Sequence, residues 1–570
     1  MNLSSFQFRI RIISAFIILF AIILITKLFY IQIVHKNIYT EKADRQYATP
    51  TSNVFDRGTI FFSKKDGTLV AGASISSGFK VAIKPSDIID IDKTYELLDP
   101  YMEMDYITFS QKANRKTDPY EEVAFHLTKE QATEIDNLKI KGVTIYKDNW
   151  RFYPGSNLAS HTLGFLAYKG DEKVGQYGLE RFYNTTLSKP KDEAYVNFFA
   201  EVFSSLKDQI SDEKNMQGDL VTTIEPTVES TLETELGSAF DKWDADEAGG
   251  IIMNPQTGEI YAMTGFPNFD LNKFGEVKDP SIYRNIMVED VLEFGSVIKP
   301  LVMSSALDTG VLTPDTTYLD KGMVTVNKKD IYNFDKKGRG VVSMQTVLDQ
   351  SLNTGMVYTE NKLGHDKFRN YMKSFGIGLK TGIDLPNETS GLIKNLDSPR
   401  DIEYANASFG QGIALTPIEA VRAFSVIANG GNMVTPHLVK QVRYEDGTSI
   451  LKEFPVTING IIKKETSVTI SRMLAHVFEA YDQGSHKMEH YTIAAKTGTA
   501  QVAMENGKGY YTDRHTHSFF GYFPAYDPQF IVFMFLKNPK GVNYASQTLI
   551  SPFVNITNFL LNYYNVPPDR

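Results

Sequence analysis

An apolar run near the N-terminus is the strongest constraint on how this chain can fold. Residues 12–34 contain a single charged side chain, Lys27. About 20 consecutive apolar residues cross a bilayer core as a helix, and a lysine near one end can extend its ammonium group toward the interface. The sequence therefore predicts a single transmembrane helix over residues 12–34.

A cleaved signal peptide is the alternative interpretation of this run, and it would end at a small-residue cleavage site. The residues that follow position 34 are mostly long, aromatic or charged instead, which favours a retained anchor. Long downstream domains are translocated largely regardless of flanking charge. We therefore expect residues 1–11 to be cytoplasmic and the large remainder of this single-pass cell-membrane protein to be extracytoplasmic.

The composition of the 570 residues is that of a globular protein, with 42% hydrophobic and 22% charged residues. A chain of this length is expected to hold about two to four domains. The net charge of −9 argues against nucleic acid as a partner. Because the chain has no cysteine, disulfides, thiolate nucleophiles and cysteine-ligated metal centres are excluded.

Two regions of different character follow the predicted anchor. Residues 35–220 indicate mixed α and β structure, with a strand pair over residues 55–72 and no catalytic cluster. From Pro226 onward, apolar residues recur every fourth position, as in a helix whose first turn contains proline. Residues 248–265 predict a hairpin. We expect residues 221–570 to form one α/β domain around a mostly antiparallel sheet.

The first candidate catalytic pair is Ser296 and Lys299, in the stretch FGSVIKP. If Ser296 begins a helix, Lys299 at i+3 lies on the same face and the two side chains can approach each other. A neutral lysine amine can take the proton of a serine hydroxyl and so activate it as a nucleophile. Burial and a second nearby cation both lower the pKa of a lysine, as such a base requires.

The S-x-x-K spacing is frequent in this chain, so context must select one copy. Only Ser296 combines a preceding glycine with an apolar helical pattern after it. The other copies begin at Ser77, Ser188, Ser204, Ser211 and Ser449, and each is interpreted as a solvated surface pair.

A second motif, Ser351-Leu352-Asn353, follows downstream. A second serine near the nucleophile can relay a proton to a leaving amine. The amide of Asn353 can bind a substrate carbonyl while also hydrogen-bonding within the lysine pocket. By itself this motif is more often a helix cap or a turn, so its interpretation depends on the other motifs.

The third motif, Lys496-Thr497-Gly498-Thr499, lies in an alternating pattern that predicts a strand. The edge of such a strand can pair with a peptide substrate, and Gly498 lets the backbones come close. Lys496 supplies a fixed positive charge that helps to keep Lys299 neutral. The hydroxyls of Thr497 and Thr499 can hold a substrate carboxylate, and the N–H groups of Ser296 and Thr499 can form an oxyanion hole.

A further K-T-G copy stands at residues 380–382. Its surroundings, FGIGLKTGIDLPNE, are rich in glycine and proline and predict a loop. We therefore interpret Lys380 as a chance match and Lys496 as the functional copy.

The ordered set S-x-x-K, S-x-N and K-T-G resembles that of the penicillin-interacting serine enzymes. The wider resemblance is to class B, monofunctional penicillin-binding proteins. FDRGTIFF resembles the R-G-x-I segment of their pedestal domain, and NPQTGEIYAM and SFGQGIALTPIEAVRAF resemble stretches of their transpeptidase domain. Two departures flank the site: Leu292-Glu293-Phe294-Gly295 replaces the frequent Tyr-Glu-Pro-Gly, and Ala495 replaces the usual glycine before K-T-G.

The resemblance implies a fold and an activity. Residues 35–220 would form an elongated α+β pedestal, and residues 221–570 a transpeptidase domain of the serine β-lactamase-like fold. Ser296 would form an acyl-enzyme with a peptidoglycan stem peptide, an amine of a neighbouring stem would take the acyl group, and β-lactam antibiotics would acylate the same serine. No metal or organic cofactor is implied. The implied partners are the cell membrane and a membrane-embedded peptidoglycan glycosyltransferase. SFGQGI resembles the division type and favours a septal role, while FPNFDLNKF also suits the elongation type.

Two alternatives use the same scaffold. A β-lactam hydrolase of class A would carry an E-x-x-x-N motif, and none lies between Asn353 and Lys496. A D-Ala-D-Ala carboxypeptidase stays an open alternative, because the sequence does not exclude it. A catalytically inactive scaffold or sensor is expected to lose at least one of the three motifs, and all three are present.

Overall fold

We describe the protein from a computed structural model. The structure describes residues 55–170, 172–188, 217–504 and 509–570, together with Phe20 and Lys27. The predicted cytoplasmic segment over residues 1–11 and the predicted transmembrane helix over residues 12–34 lie outside the described residues, apart from those two. Within the part of the chain that is described, no helix is long and apolar enough to cross a membrane.

The described strands, numbered in chain order, are β1 (Ile60–Ser63), β2 (Leu69–Ile83), β3 (Glu121–Leu127), β4 (Val143–Phe152), β5 (Leu166–Lys169), β6 (Glu172–Gly175), β7 (Gly218–Thr222), β8 (Glu247–Met253), β9 (Ile260–Phe266), β10 (Thr317–Asp320), β11 (Met323–Val326), β12 (Lys329–Tyr332), β13 (Gly340–Ser343), β14 (Val439–Tyr444), β15 (Ser449–Leu451), β16 (Ala494–Ala503), β17 (Tyr510–Phe523) and β18 (Phe530–Lys537).

The described α-helices are α1 (Ile91–Leu98), α2 (Tyr106–Ala113), α3 (Lys129–Asn137), α4 (Ser160–Leu163), α5 (Gly178–Phe182), α6 (Asn184–Leu187), α7 (Pro226–Lys242), α8 (Ile286–Glu289), α9 (Lys299–Asp308), α10 (Met344–Asp349), α11 (Asn353–Leu363), α12 (His365–Ser374), α13 (Asp401–Ala407), α14 (Pro417–Ala428), α15 (Lys464–Ala480), α16 (Ala545–Thr548) and α17 (Ile550–Tyr563). Short 3-10 helices lie at Pro85–Asp87, Asp99–Tyr101, Leu271–Glu276, Pro280–Tyr283, Gly295–Ile298, Lys394–Asp397 and Tyr481–Gly484.

The chain forms two compact units that do not follow its linear order. Among the described residues, the first unit holds chiefly residues 76–150, and the second holds residues 57–75 together with those after residue 150. Strand β2 contributes its first half to the second unit and its second half to the first. The second unit is therefore assembled from separate segments of sequence.

The first unit is a small α/β layer. The second half of β2 pairs antiparallel with β3, from Phe79 opposite Leu127 to Ile83 opposite Glu121, and β4 also pairs with β2. Buried apolar side chains of α1, α2 and these strands form its core. Helix α3 begins at a reciprocal cap in which Thr128 and Gln131 each bond the backbone N–H of the other.

In the second unit, a first sheet has the strand order β15-β14-β7-β1-β2. Strands β1 and β2 form the hairpin predicted over residues 55–72. Strand β7 lies parallel to β1, with Ile60 opposite Leu220, and antiparallel to β14, with Leu220 opposite Val442. Residues that are far apart in the sequence therefore share one ladder.

A buried ion cluster joins three segments of the second unit. The Glu180 carboxylate accepts from Arg57 Nε and Arg151 Nε, each at 2.6 Å. Arg57 Nη2 also donates to the Glu180 carbonyl at 2.8 Å, and Arg151 Nη1 donates to the Gly58 carbonyl at 2.8 Å. Buried charges are tolerated where such pairing replaces their hydration, so the arginine of the FDRGTIFF stretch has a structural role here.

The second sheet of this unit carries the site. Its order is β16-β17-β18-β8-β9, and every pair is antiparallel, as the sequence predicted. Strands β8 and β9 are the hairpin predicted over residues 248–265, and α7 is the helix predicted from Pro226, which occupies its first turn.

Helices cover both faces of this sheet. This explains why the sequence of β18 is a nearly continuous run of apolar residues. Helices α7 and α17 share one core with the sheet. Helices α14 and α15 belong to the core on the other face, where the Phe424 ring stacks on Phe520 with ring centroids 4.2 Å apart. A strand that is buried on both faces has no polar side to alternate with. The mixed α/β architecture predicted for this region is confirmed.

Candidate active site

The predicted nucleophile, Ser296, lies in a tight turn directly before helix α9. The sequence argument took a helix beginning at Ser296 as its condition; the structure has a 3-10 turn over Gly295–Ile298, and α9 begins at Lys299. In a 3-10 turn residues i and i+3 eclipse each other, so Ser296 and Lys299 still lie on one side of the backbone. Gly295 has φ +64°, and a Cβ there would lie 2.8 Å from the Thr499 carbonyl oxygen.

Lys299 is completely buried, with 0% of its surface exposed. Its Nζ donates to the Ser351 carbonyl at 2.6 Å and to Asn353 Oδ1 at 2.8 Å, and it lies 3.2 Å from Ser351 Oγ. Burial, and secondly the nearby Lys496, lower the pKa of Lys299 well below its ordinary value. A neutral amine can donate to the two oxygens Ser351 O and Asn353 Oδ1 and keep a lone pair for accepting a proton.

Ser351 lies between helices α10 and α11 with φ +52°, a left-handed conformation that is uncommon for a serine. Its hydroxyl lies 3.2 Å from Lys299 Nζ and 3.1 Å from Lys496 Nζ. The three motifs predicted from sequence therefore meet at the Oγ atom of Ser351. Because this oxygen contacts both amines, it can pass a proton between them and a bound substrate.

Asn353 is the first residue of α11, and its amide is oriented by two contacts. Its Oδ1 accepts from Lys299, and its Nδ2 donates to the Tyr332 carbonyl at 3.0 Å. An amide nitrogen carries two N–H donors, so the second is available for a substrate carbonyl. The predicted double role of Asn353 is compatible with this geometry.

Lys496 lies in strand β16 and is 1% exposed. Its Nζ donates to Ser351 Oγ and to the Thr497 carbonyl, both at 3.1 Å. Burial lowers the pKa of Lys496 to about 7, while the Asp349 carboxylate acts in the opposite direction. The positive charge predicted for Lys496 therefore depends on this carboxylate, which opposes the effect of burial.

Gly498 permits a close approach between two segments of the protein itself, and the predicted approach of a substrate backbone stays a prediction. A Cβ at this position would lie 2.3 Å from the Phe294 carbonyl oxygen and 2.4 Å from Ser518 Oγ. The missing side chain thus lets β16 pack on the turn that carries Ser296. The role of Gly498 is to position the nucleophile turn against the strand.

The two threonines of the third motif are each held by one neighbour. The Thr497 backbone N–H donates to the Tyr481 hydroxyl at 3.0 Å, and the two hydroxyls lie 3.3 Å apart. Thr499 Oγ1 accepts from the Ala545 backbone N–H at 3.1 Å. The Thr499 hydroxyl therefore keeps its proton for a substrate carboxylate.

These groups line one cleft of about 880 Å³, with Ser296, Ser351, Asn353, Lys496, Thr497 and Thr499 on its surface. A cleft of this size can enclose a peptide-sized ligand. The cleft is also lined by residues that the sequence did not point to, among them Tyr332, Phe334, Asn406, Gln411 and Tyr544.

Asp349 is the most informative of the missed residues. It lines the same cleft and stands two positions before Ser351. That short spacing is a weak signal in the sequence, because an acidic residue near a serine is common in proteins and has many ordinary explanations.

The other K-T-G copy has a structural role. Residues 380–382 lie in a loop, as predicted. The Lys380 carbonyl accepts from Arg422 Nη1 at 2.9 Å, and the Thr381 hydroxyl donates to Glu388 at 2.6 Å. This segment does not line the cleft.

Family models match most of the chain that the structure describes. The penicillin-binding protein transpeptidase domain matches residues 248–556, and the penicillin-binding protein dimerisation domain matches residues 54–223. The chain therefore belongs to the penicillin-binding protein family with a transpeptidase domain, as the resemblance implied.

Relatives and solved structures agree with this assignment. Stage V sporulation protein D of Bacillus subtilis is 31% identical over 100% of this chain and 88% of its own length. A probable peptidoglycan D,D-transpeptidase, PenA of Neisseria gonorrhoeae, is 26% identical over 98% of this chain and 93% of its own length.

Two solved structures share the fold. Penicillin-binding protein 2X of Streptococcus thermophilus superimposes with a TM-score of 0.70 at 23% identity, covering 90% of this chain and 81% of its own. Penicillin-binding protein 3 of Mycobacterium tuberculosis, solved in complex with aztreonam, has a TM-score of 0.68 at 21% identity, covering 91% of this chain and 98% of its own.

Proposed function

We propose that this chain is a membrane-anchored, serine-type peptidoglycan D,D-transpeptidase in which Ser296 carries the acyl group. The main support for the proposal is that two buried lysine amines both contact one serine hydroxyl. Ser351 Oγ lies within 3.2 Å of Lys299 Nζ and 3.1 Å of Lys496 Nζ in the cleft that Ser296 lines. This arrangement provides a nucleophile, a base and a proton relay in one site.

In the acylation step, Ser296 Oγ bonds to the carbonyl carbon of the penultimate D-Ala while its proton passes to neutral Lys299. The backbone N–H groups of Ser296 and Thr499 would bind the oxyanion. The carbon–nitrogen bond to the terminal D-Ala then breaks, and the leaving nitrogen takes a proton through Ser351 Oγ. Asn353 and Thr499 would orient the stem peptide through its carbonyl and carboxylate groups.

In the transfer step, an amine from a neighbouring stem peptide attacks the acyl carbon. Its proton passes to Lys299, the ester bond to Ser296 breaks, and Ser296 Oγ regains a proton. A β-lactam would follow the acylation step, but its leaving nitrogen would stay tethered to the acyl group. The product would therefore block the entry of the acceptor amine.

The placement of the protein in the cell is part of the proposal. Residues 1–11 would be cytoplasmic and residues 12–34 would anchor the chain. Residues 35–220 would serve as the pedestal and residues 221–570 as the extracytoplasmic transpeptidase domain. A membrane-embedded peptidoglycan glycosyltransferase would act as partner. The septal role stays a prediction from the SFGQGI stretch.

Intact-mass analysis after incubation with penicillin, followed by mapping of the modified peptide, tests the nucleophile. We expect one penicilloyl adduct on Ser296 and none in Ser296→Ala. Ser449→Ala is a matched control, because Ser449 opens another S-x-x-K on the exposed strand β15. An adduct that survives in Ser296→Ala would overturn the assignment.

Removal of residues 1–34 tests the anchor separately. We expect the shortened protein to react with penicillin while no longer fractionating with membranes, because the apolar run precedes every catalytic motif. A shortened protein that still sediments with membranes would contradict a role of this run as the sole anchor.

A further inference from the structure

The Asp349 carboxylate is held in a fixed position at the edge of the catalytic cleft. It accepts from Gln345 Nε2 at 2.8 Å and from His476 Nδ1 at 3.0 Å. Its side chain is only 17% exposed, whereas that of His476 is 62% exposed. Both donors approach the same oxygen, Oδ1, so the second oxygen is left to act on other groups.

The two buried lysines beside it cannot both be charged at low cost. Lys299 and Lys496 contact the same hydroxyl, and their exposures are 0% and 1%. Like charges in such proximity disfavour each other, and the pair titrates as a coupled unit. Catalysis requires one particular distribution of protons between the two amines, in which Lys299 is neutral and can act as the base.

Burial alone does not select that distribution, because it acts on both lysines. The two lysines differ in position, because Lys496 lines the cleft together with Asp349, whereas Lys299 does not line it. Asp349 raises the pKa of Lys496 against the dominant effect of burial, whereas burial and then Lys496 lower the pKa of Lys299. The charge of Asp349 is therefore the source of this asymmetry.

We propose that Asp349 is a positioning residue that holds the shared proton on Lys496 and thereby leaves Lys299 free to act as the base. The inference rests on the proposed function, in which Lys299 accepts the proton of Ser296. The titratable groups that face Asp349 are His476 on α15, Lys496 on β16 and the phenol of Tyr481, whose pKa Asp349 helps to raise.

The test is the pH profile of Ser296 acylation by penicillin in the full-length protein. The active form needs neutral Lys299 and protonated Lys496, so the rate falls on the basic side as Lys496 loses its proton. Asp349→Asn removes the anion that favours this proton. We expect the basic limb to move to lower pH by roughly one unit. A basic limb that stays in place in Asp349→Asn overturns the inference, whatever happens to the maximal rate.

Gln345→Ala provides the matched control for a purely structural role. Gln345 Nε2 bonds Asp349 and also the Met473 carbonyl at 3.1 Å, so this variant loosens the same junction between α10 and α15 but keeps the charge. We expect its basic limb to coincide with that of the unmodified protein. An equal displacement of the limb in Gln345→Ala would assign the effect to packing and overturn the inference.

A measurement on the unmodified chain keeps the inference testable if Asp349→Asn does not fold. Selective ¹³Cε labelling of lysine, with Lys299→Ala and Lys496→Ala used for assignment, gives the order in which the two amines titrate. We expect Lys496 to keep its proton to a higher pH than Lys299, and the reverse order refutes the inference. If the unmodified protein is not acylated at Ser296, the proposed function fails; if it is acylated but the limb does not move, only the role of Asp349 fails.

Discussion

The main-chain oxygen of Ser351 accepts a hydrogen bond from Lys299 Nζ at 2.6 Å, the shortest contact of that amine. It is available because Ser351 adopts a left-handed backbone conformation, with φ +52°, between two helices. A carbonyl acceptor does not depend on the identity of the side chain. The orientation of Lys299 is therefore determined by the backbone of the second motif as well as by Asn353.

Lys299→Ala and Lys496→Ala should each slow acylation by penicillin by roughly 10²–10⁴-fold, the usual contribution of a general base or proton-transfer group. Lys380→Ala should leave the rate unchanged, because only its backbone carbonyl is used, by Arg422. Stopped-flow or quenched labelling with a fluorescent penicillin measures all three rates. A comparable loss in Lys380→Ala would reverse the assignment of the two K-T-G copies.

Gly498→Ala should reduce acylation strongly and lower the unfolding free energy by about 1–3 kcal/mol, as overpacking does. The added methyl would lie 2.3 Å from the Phe294 carbonyl, so β16 or the nucleophile turn must shift. Gly275→Ala is the control, since a Cβ there meets no atom within 4 Å. Labelling rates and denaturant unfolding would show both effects, and an unimpaired Gly498→Ala would contradict the packing role.

Glu180→Gln should destabilise the protein by about 3–5 kcal/mol, because it leaves Arg57 and Arg151 buried without their carboxylate. The comparison is Asp136→Asn, which breaks the exposed pair with Lys139 and should cost less than about 1 kcal/mol. Urea unfolding monitored by circular dichroism measures the difference. Equal stabilities of the two variants would mean that the cluster contributes little.

The penicilloyl adduct should persist far longer than a catalytic turnover. Deacylation by water requires an activated water, and the described acidic residues on the cleft are Asp330 and Asp349. Asp330 accepts from Thr325 and Tyr332, and Asp349 is assigned above to holding the proton on Lys496. A general base accelerates such a step roughly 10²–10⁴-fold, so deacylation without one has a barrier that is higher by about 3–5 kcal/mol. Mass spectrometry after removal of free drug measures the lifetime, and loss within seconds with steady drug hydrolysis would favour a hydrolase.

Local spacing explains which parts of the site were predictable. Ser296 with Lys299, and Ser351 with Asn353, act through neighbours three and two positions apart, so their motifs can be found in the sequence. Asp349 depends instead on His476, which contacts it across 127 positions. Sequence periodicity carries no information about such a pair. The effect of Asp349 on the pKa of Lys496 therefore becomes visible only in the structure.

The same distinction applies to the fold. The hairpin β8–β9 and helix α7 were predicted because turn residues and a repeat of apolar positions identify them locally. The division into units was not predicted, because residues 57–75 and the segment that follows residue 150 join the second unit only through tertiary contacts. The amino-acid composition of these two segments is similar to that of their neighbours in the sequence, so it does not indicate a boundary between units.

The ladder that joins Ile60, Leu220 and Val442 has a consequence for how the protein is made. Strand β7 obtains one neighbour early in synthesis and the other only when β14 has been synthesised, more than two hundred residues later. Contacts so distant in sequence form slowly, and an unpaired strand edge invites association with other chains. The second unit therefore completes its first sheet late, and one edge of β7 waits for a partner until β14 has been synthesised.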